Sequence, residues 1–336
     1  MIITRTPLRI SFFGGGTDYP IWYKENGGAV LSTTINRYSY ISCRFRPPFF
    51  KYRYKLSYSK IEEVNHRKQI DHPSVRECVK FLKFKGDFSM QHDSDLPAQS
   101  GLGSSSTFTV GLLNALSGLR GEMKTKRQLA LNAIHIEQKM IKENVGSQDQ
   151  TAAAFGGLNK IEFGGPNEIN IYPITLSQNR QNDLQNNLMM FFTGFSRTAS
   201  EIAAEQIKST PLKKNELKLM HQMVYEAIDI LYNKKRDLAD FGKLLHESWK
   251  LKRSLSSRIS NSAIDNIYEA GLKAGALGGK LLGAGGGGFI LFFAKPEIQP
   301  QIKEKLKKYL HVPFAFENSG SQIIYYSPYD HFTNEI

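Results

Sequence analysis

The chain has 336 residues, 40% apolar, 11% aromatic and 22% charged. That is an ordinary globular composition, which excludes fibrous and disordered classes and leaves room for two domains, each with its own core. Lysine and arginine outnumber aspartate and glutamate by 44 to 31, a net charge of +13, so an anionic partner is expected: nucleic acid, membrane headgroups or a phosphorylated small molecule. Two cysteines, Cys43 and Cys78, exclude a disulfide framework and a four-cysteine zinc site, and they suit a reducing cytoplasm.

Met1-Ile2-Ile3 runs directly into Thr4, Arg5, Thr6, Pro7 and Arg9, which leaves no apolar stretch for an export signal. From Ile2 to Phe13, Leu8, Ile10 and Phe12 alternate with Arg9 and Ser11, the period of a half-buried strand, here interrupted by Pro7. Gly14-Gly15-Gly16 then turns the chain into Thr17-Asp18-Tyr19-Pro20. Ala29 to Tyr58 is rich in β-branched and aromatic residues and predicts further strands, broken at Pro47-Pro48. Ser104 to Leu116 has helical spacing, as does Lys126 to Lys142, and a third helix starts near Ser147. The polar run Ser177 to Asn182 reads as the boundary between a domain of residues 1–176 and one of residues 183–336. Beyond it lie a strand (Leu188 to Thr193), helices between Thr198 and Ala276, a glycine-rich turn and a strand (Phe289 to Phe293). A basic helix (Ile298 to Tyr309) and a closing strand (Gln322 to Tyr326) follow. Phe289 to Ala294 is far below the ~20 residues a membrane span needs. Helices and strands mix in both halves, so the fold class is α+β.

Gly283, Gly285 and Gly288 spell G-x-G-x-x-G, but a strand follows them, so no helix N-terminus faces a pyrophosphate and the dinucleotide reading is set aside. The run Leu96 to Ser106 opens a helix. Gly101 and Gly103 let backbone approach a ligand, and Ser104, Ser105 and Ser106 offer N–H groups and hydroxyls where the macrodipole favours an anion. A serine-capped helix with flexible glycines is the competing explanation.

Pro97 to Ser106 resembles the P-x-x-x-G-L-G-S-S-[AS] phosphate loop of the GHMP kinase superfamily. Arg5 to Phe12, with Gly14 and Asp18, resembles its N-terminal motif, and Lys280 to Phe289 its C-terminal glycine motif. The three occur in the family's order across nearly the whole chain. The resemblance implies an ATP- and magnesium-dependent small-molecule kinase, with a ribosomal-protein-like N-terminal α/β domain and a ferredoxin-like C-terminal domain. Pro97, Gly101, Leu102, Gly103, Ser104, Ser105 and Ser106 would bind nucleotide. It allows a homodimer.

Phosphoryl transfer needs a metal-binding carboxylate and a group that orients or deprotonates the acceptor. On the wheel of Lys126 to Lys142, Glu137 shares a face with Ala130, Ala133, Ile134 and Ile141, where a carboxylate is costly unless paired or metal-bound; a buried ion pair is the plain alternative. Ser147 and Gln150 fit a capping box that places Asp149 in a first helical turn, where dipole complementation would explain it. By the resemblance, Glu137 and the Ser105 hydroxyl would hold magnesium, with the serine register open by one. Asp149 would be the catalytic base. Arg9 would lie near the reacting oxygen, unless it is a solvated strand residue.

Galactokinases typically carry Gly-Glu-His where this chain has Gly14-Gly15-Gly16. The string Arg5 to Pro20 and the segment Phe192 to Ser200 are most similar to the superfamily's kinases of D-glycero-α-D-manno-heptose 7-phosphate, which phosphorylate the anomeric hydroxyl on the way to nucleotide-activated heptose for surface polysaccharide. Gly15, Gly16, Thr17, Asp18, Gly285 and Gly286 would then contact the sugar, and Arg197 its phosphate, unless Arg197 is plain surface charge. A fucokinase-like enzyme of a free sugar is the alternative. A nucleic-acid-binding protein fits poorly, because the basic residues are dispersed and no recognition module is present.

Overall fold

The computed structural model describes residues 1–165, 168–195 and 199–328; among these, thirteen strands form two sheets. The first half supplies β1 (Ile2–Phe13), β2 (Gly28–Phe45), β3 (Tyr54–Ser57), β4 (Ile61–Val64), β5 (Phe88–Ser94), β6 (Asn159–Phe163) and β7 (Ile169–Pro173). Interleaved with them are α1 (Pro20–Asn26), α2 (Pro73–Phe81), α3 (Ser104–Leu119), α4 (Lys126–His135) and α5 (Gln148–Phe155). The second half carries α6 (Gln178–Asn186), β8 (Leu188–Phe192), α7 (Ala199–Ser209), α8 (Lys214–Tyr232), α9 (Ala239–Ser254), α10 (Ser262–Lys273), β9 (Gly278–Leu281), β10 (Phe289–Phe293), α11 (Gln299–Lys305) and β11 (Leu310–His311). Two last strands, β12 (Phe316–Glu317) and β13 (Gln322–Tyr326), follow.

The large sheet has the order β13-β1-β2-β5-β3-β4, with β12 and β6 also on β2 and β7 on β6; the small one is β11-β8-β10-β9. β12 and β13 therefore return to the sheet of the first half, β13 lying antiparallel to β1 with Ile2 opposite Tyr326. β12 and β13 are thus part of the large sheet, where β13 fills the edge that β1 would otherwise leave free.

Pro7 does not interrupt β1. The strand continues through a register shift between Pro7 and Leu8, where a missing N–H is tolerated at an irregularity. Nor is β1 half-exposed, since Arg9 and Ser11 are as buried as Leu8 and Ile10. One face packs into a core with β8, β10, α8 and α9 through Phe12, Phe13, Phe241 and Phe289, the Phe13 and Phe241 rings meeting edge to face at 5.1 Å. The polar face turns to a cleft. The run Ser177 to Asn182 is not a linker: Ser177 caps α6 by accepting from the Arg180 N–H, and Leu184 buries fully, so a polar sequence becomes a one-sided helix.

Candidate active site

The cleft, about 220 Å³, is lined by Arg9, Asp18 and Asp149, by residues of the loop Gln99–Ser106, and by Lys252, Lys280, Gly283 and Ala284. The loop before α3 builds an anion cradle. Gln99, Gly101 and Gly103 all take positive φ, at 57°, 85° and 76°, and this alternation turns successive N–H groups inward. Gly103 occupies the N-cap with no side chain capping the helix, so the first N–H groups of α3 stay open to a ligand and the serine-cap explanation is set aside. The Ser104 hydroxyl closes the loop by accepting from the Gln99 N–H at 3.2 Å. A Cβ on Gly101 would lie 2.3 Å from the Leu282 carbonyl oxygen, and one on Gly283 would lie 2.5 Å from Gly101 Cα. The phosphate loop and the C-terminal glycine loop thus touch backbone to backbone, which is why both are glycine-rich.

Arg9 and Asp149 form the pair at the floor. Arg9 Nε and Nη2 donate to Asp149 Oδ1 and Oδ2 at 2.8 Å each, and Nη1 donates to the Gly101 carbonyl at 2.6 Å. At 3% exposure Arg9 is no solvated strand residue. The bidentate fork orients the carboxylate and ties it to the phosphate loop. Asp149 sits in the first turn of α5 as expected, but the capping box is not formed. Ser147 Oγ instead pairs with Gln138 Nε2 and the Tyr23 hydroxyl, and Gln150 donates to Glu137.

Glu137 is completely buried and opens a π-helical turn, Ile136–Ile141, that continues α4. Among the described residues no cation pairs with it, so the ion-pair alternative is not realised. Its Oε2 accepts from Ser106 Oγ at 2.8 Å and from Gln150, while Oε1 has no partner. Burial pushes its carboxyl up to about 7. The serine beside Glu137 is Ser106, where Ser105 was expected; Ser105 is exposed on the cleft wall, and the helical rotation of one residue swings Ser106 inward. The residues fit a divalent cation: an orphaned buried carboxylate oxygen behind cleft-lining hydroxyls, with no cluster of three acidic, His or Cys ligands among the described residues, so phosphate oxygens would complete its shell.

Asp18 lines the cleft with Gly15 and Gly16. Its Oδ1 accepts from the Gly16 N–H at 2.9 Å, and burial pushes its carboxyl up. Thr17 is fully buried, its hydroxyl spent on the Gly14 and Ala29 backbone. Leu102 is a core residue, and Pro97 lies outside the cleft. Gly285 and Gly286 pack on Ile259, the Gly286 N–H bonding the Ile259 carbonyl, and it is Gly283 and Ala284 that face the cleft. Arg197 lies outside the described residues.

Lys252 and Lys280 are both buried in the cleft wall; Lys280 opens the C-terminal glycine motif, but the sequence assigns a site role to neither. For Lys252 a signal existed: it follows Leu245 and Trp249 on the buried face of α9, where a lysine is out of place.

An anion cradle at a helix start, joined through an arginine to a carboxylate that faces the same cleft, defines a phosphotransferase. Residues 74–157 match the family described as GHMP kinases N terminal domain, and residues 224–312 match GHMP kinases C terminal. A curated relative, the D-glycero-alpha-D-manno-heptose 7-phosphate kinase of Campylobacter jejuni, is 32% identical over 324 residues, 91% of this chain and 93% of its own. The L-fucokinase/L-fucose-1-P guanylyltransferase of Bacteroides fragilis is 26% identical over 349 residues, and the match spans only 35% of that protein. A solved structure described as a D-glycero-D-manno-heptose 1-phosphate kinase from Bacteroides thetaiotaomicron superposes with a TM-score of 0.78 over 97% of this chain and 100% of its own, at 23% identity, which establishes the shared fold. The chain belongs to the GHMP kinase family, and its class of activity is ATP-dependent phosphotransfer.

Proposed function

We propose that the protein transfers the γ-phosphoryl group of ATP to the anomeric hydroxyl of D-glycero-D-manno-heptose 7-phosphate, giving the 1,7-bisphosphate. The observation that carries this reading is the 32% identity to a heptose 7-phosphate kinase over 91% of the chain, joined to a cleft lined by the loop Gln99–Ser106 and by Arg9, Asp18 and Asp149. The cradle of Gly101, Gly103 and Ser104–Ser106 holds the nucleotide phosphates on backbone N–H groups. Glu137 with Ser105 or Ser106 would hold magnesium, which would supply neutralisation of the phosphate charge. Asp149, fixed by Arg9, accepts the proton of the attacking hydroxyl, and Arg9 supplies positive charge beside the transferring group. Asp18 accepts hydrogen bonds from sugar hydroxyls. Both cysteines are free and buried, in keeping with work in a reducing, ATP-bearing cytoplasm.

An ADP-release assay on heptose 7-phosphate, free heptose and L-fucose tests the reading. The phosphorylated heptose is expected to exceed both free sugars in kcat/KM by at least tenfold. Equal or better turnover of a free sugar overturns the assignment, and L-fucose as the best acceptor replaces it with a fucokinase.

A further inference from the structure

Two cations in the cleft have no role in the chemistry above. Lys252 comes from α9 and Lys280 from β9, and they are 6% and 5% exposed. Among the described residues neither has a carboxylate within ion-pair distance. Lys252 Nζ donates to Gln206 Oε1 at 2.7 Å and to the Gly15 carbonyl at 3.3 Å. Lys280 Nζ has a single acceptor, the Phe12 carbonyl at 2.9 Å. An ammonium carries three N–H donors, so one on Lys252 and two on Lys280 are left for a ligand. The Asp18 carboxylate attracts both ammonium groups from beyond ion-pair distance, and this does not offset the cost of burying them. Burial and the repulsion of Lys252 and Arg9 push Lys280 down to about 7, and burial pushes Lys252 down to about 8. An anion placed between them would relieve both.

The location selects the anion. The nucleotide's phosphates already have the cradle before α3, and no hydrogen bond links either lysine to it. Lys252 instead holds the carbonyl of Gly15, in the loop that also carries Asp18. The pair therefore borders the acceptor's part of the cleft.

We propose that Lys252 and Lys280 form the subsite for the phosphate that the acceptor already carries, a monoester dianion at the end remote from the hydroxyl that reacts. Gln206 is the positioning residue: its Oε1 fixes the Lys252 ammonium without cancelling its charge. The subsite rests on the reading that the acceptor is a sugar phosphate, and it moves the phosphate contact from Arg197 to the wall formed by α9 and β9.

The test uses the full chain with Lys252→Met and Lys280→Met, singly and together, since methionine keeps most of the volume of a buried lysine stem. The kcat/KM ratio of heptose 7-phosphate to free heptose and the KM for ATP are read, together with the affinity for heptose 7-phosphate by calorimetry without nucleotide. A hydrogen bond to a charged group corresponds to roughly ten- to a hundred-fold in binding. Each variant is expected to weaken heptose 7-phosphate and shrink the ratio by that factor, with the KM for ATP within about twofold. Inorganic phosphate should compete with the sugar phosphate in the wild type and lose that competition in the double variant. A ratio and affinity that survive in the double variant overturn the subsite while leaving the heptose 7-phosphate reading intact. A loss that falls on the KM for ATP overturns it as well, by assigning the lysines to nucleotide. Wild-type enzyme that does not distinguish the two sugars refutes the substrate reading itself, and the subsite with it.

Discussion

Arg9 joins three parts of the chain that lie far apart in sequence: β1 through its own backbone, the phosphate loop through the Gly101 carbonyl, and α5 through Asp149. Because the carboxylate is oriented before any substrate arrives, Asp149→Asn should leave nucleotide binding largely intact while removing the proton acceptor. The expected result is a kcat lower by ~10²–10⁴ with the KM for ATP little changed, read from initial rates over both substrates. A loss of only a few-fold would show that positioning carries the reaction. A second residue allows a prediction away from the site. His72 stacks on Phe108 with ring centroids 4.6 Å apart, its Nδ1 has no partner among the described residues, and burial pushes its imidazole down from 6.5 to about 4. Between those values the unfolded chain binds more protons than the folded one, so stability is complete above pH 6.5 and falls as pH drops towards 4, by at most about 3 kcal/mol. The ring makes no cap hydrogen bond to α2, so His72→Phe should keep the packing. Thermal midpoints measured from pH 7 to pH 4.5 should therefore fall less in the variant than in the wild type.

At the scale of elements, local signals went furthest where one segment sufficed. The alternation in β1, the helical spacing after Ser104 and the break at Pro47-Pro48 are all local, and each element lies where its pattern points. What they could not specify is what each face meets. Arg9 and Ser11 occupy the polar side of an alternating strand, and only the fold makes that side a cleft floor. The same limit explains Ser147 and Gln150: their spacing fits a capping box, yet a buried Glu137 from a neighbouring helix competes for the Gln150 amide and wins. The Ser147 N–H, which a capping box would have paired with the Gln150 side chain, donates instead to the Asp18 carbonyl at 2.9 Å. The π-helical turn at Ile136–Ile141 was likewise hidden, since its apolar pattern is that of an ordinary helix; it places Glu137 against Ser106. Asp149 and the phosphate loop were legible through the ordered motifs. The two cleft lysines were not, because Lys252 stands in no recognised motif and the resemblance gave Lys280 no separate role.

Across the whole molecule, the segment after β11 adds a covalent return from the small sheet to the large one, beside the core the two halves share. β12 pairs with β2, and β13 covers the outer edge of β1. Between them the chain presses on the end of α5, the helix that carries Asp149: a Cβ on Gly320 would lie 2.1 Å from the Ala154 carbonyl oxygen. Those are backbone atoms, so Gly320→Ala must displace either the returning segment or α5. An overpacking cost of about 1–3 kcal/mol is expected, visible as a thermal midpoint lowered by several degrees, together with a lower kcat as Asp149 shifts with its helix. An unchanged midpoint and unchanged kcat would show that the contact yields freely. The same arrangement bears on how the protein is made. β13 starts 309 residues after β1 ends (322 − 13), so at ~5–20 residues per second the outer edge of β1 stays unpaired for roughly 15–60 s in every synthesis. A bare edge strand is a template for pairing with other chains. For that interval the nascent chain offers an open strand edge, and neither its first sheet nor the helix that aims Asp149 is fully braced until β13 has been made.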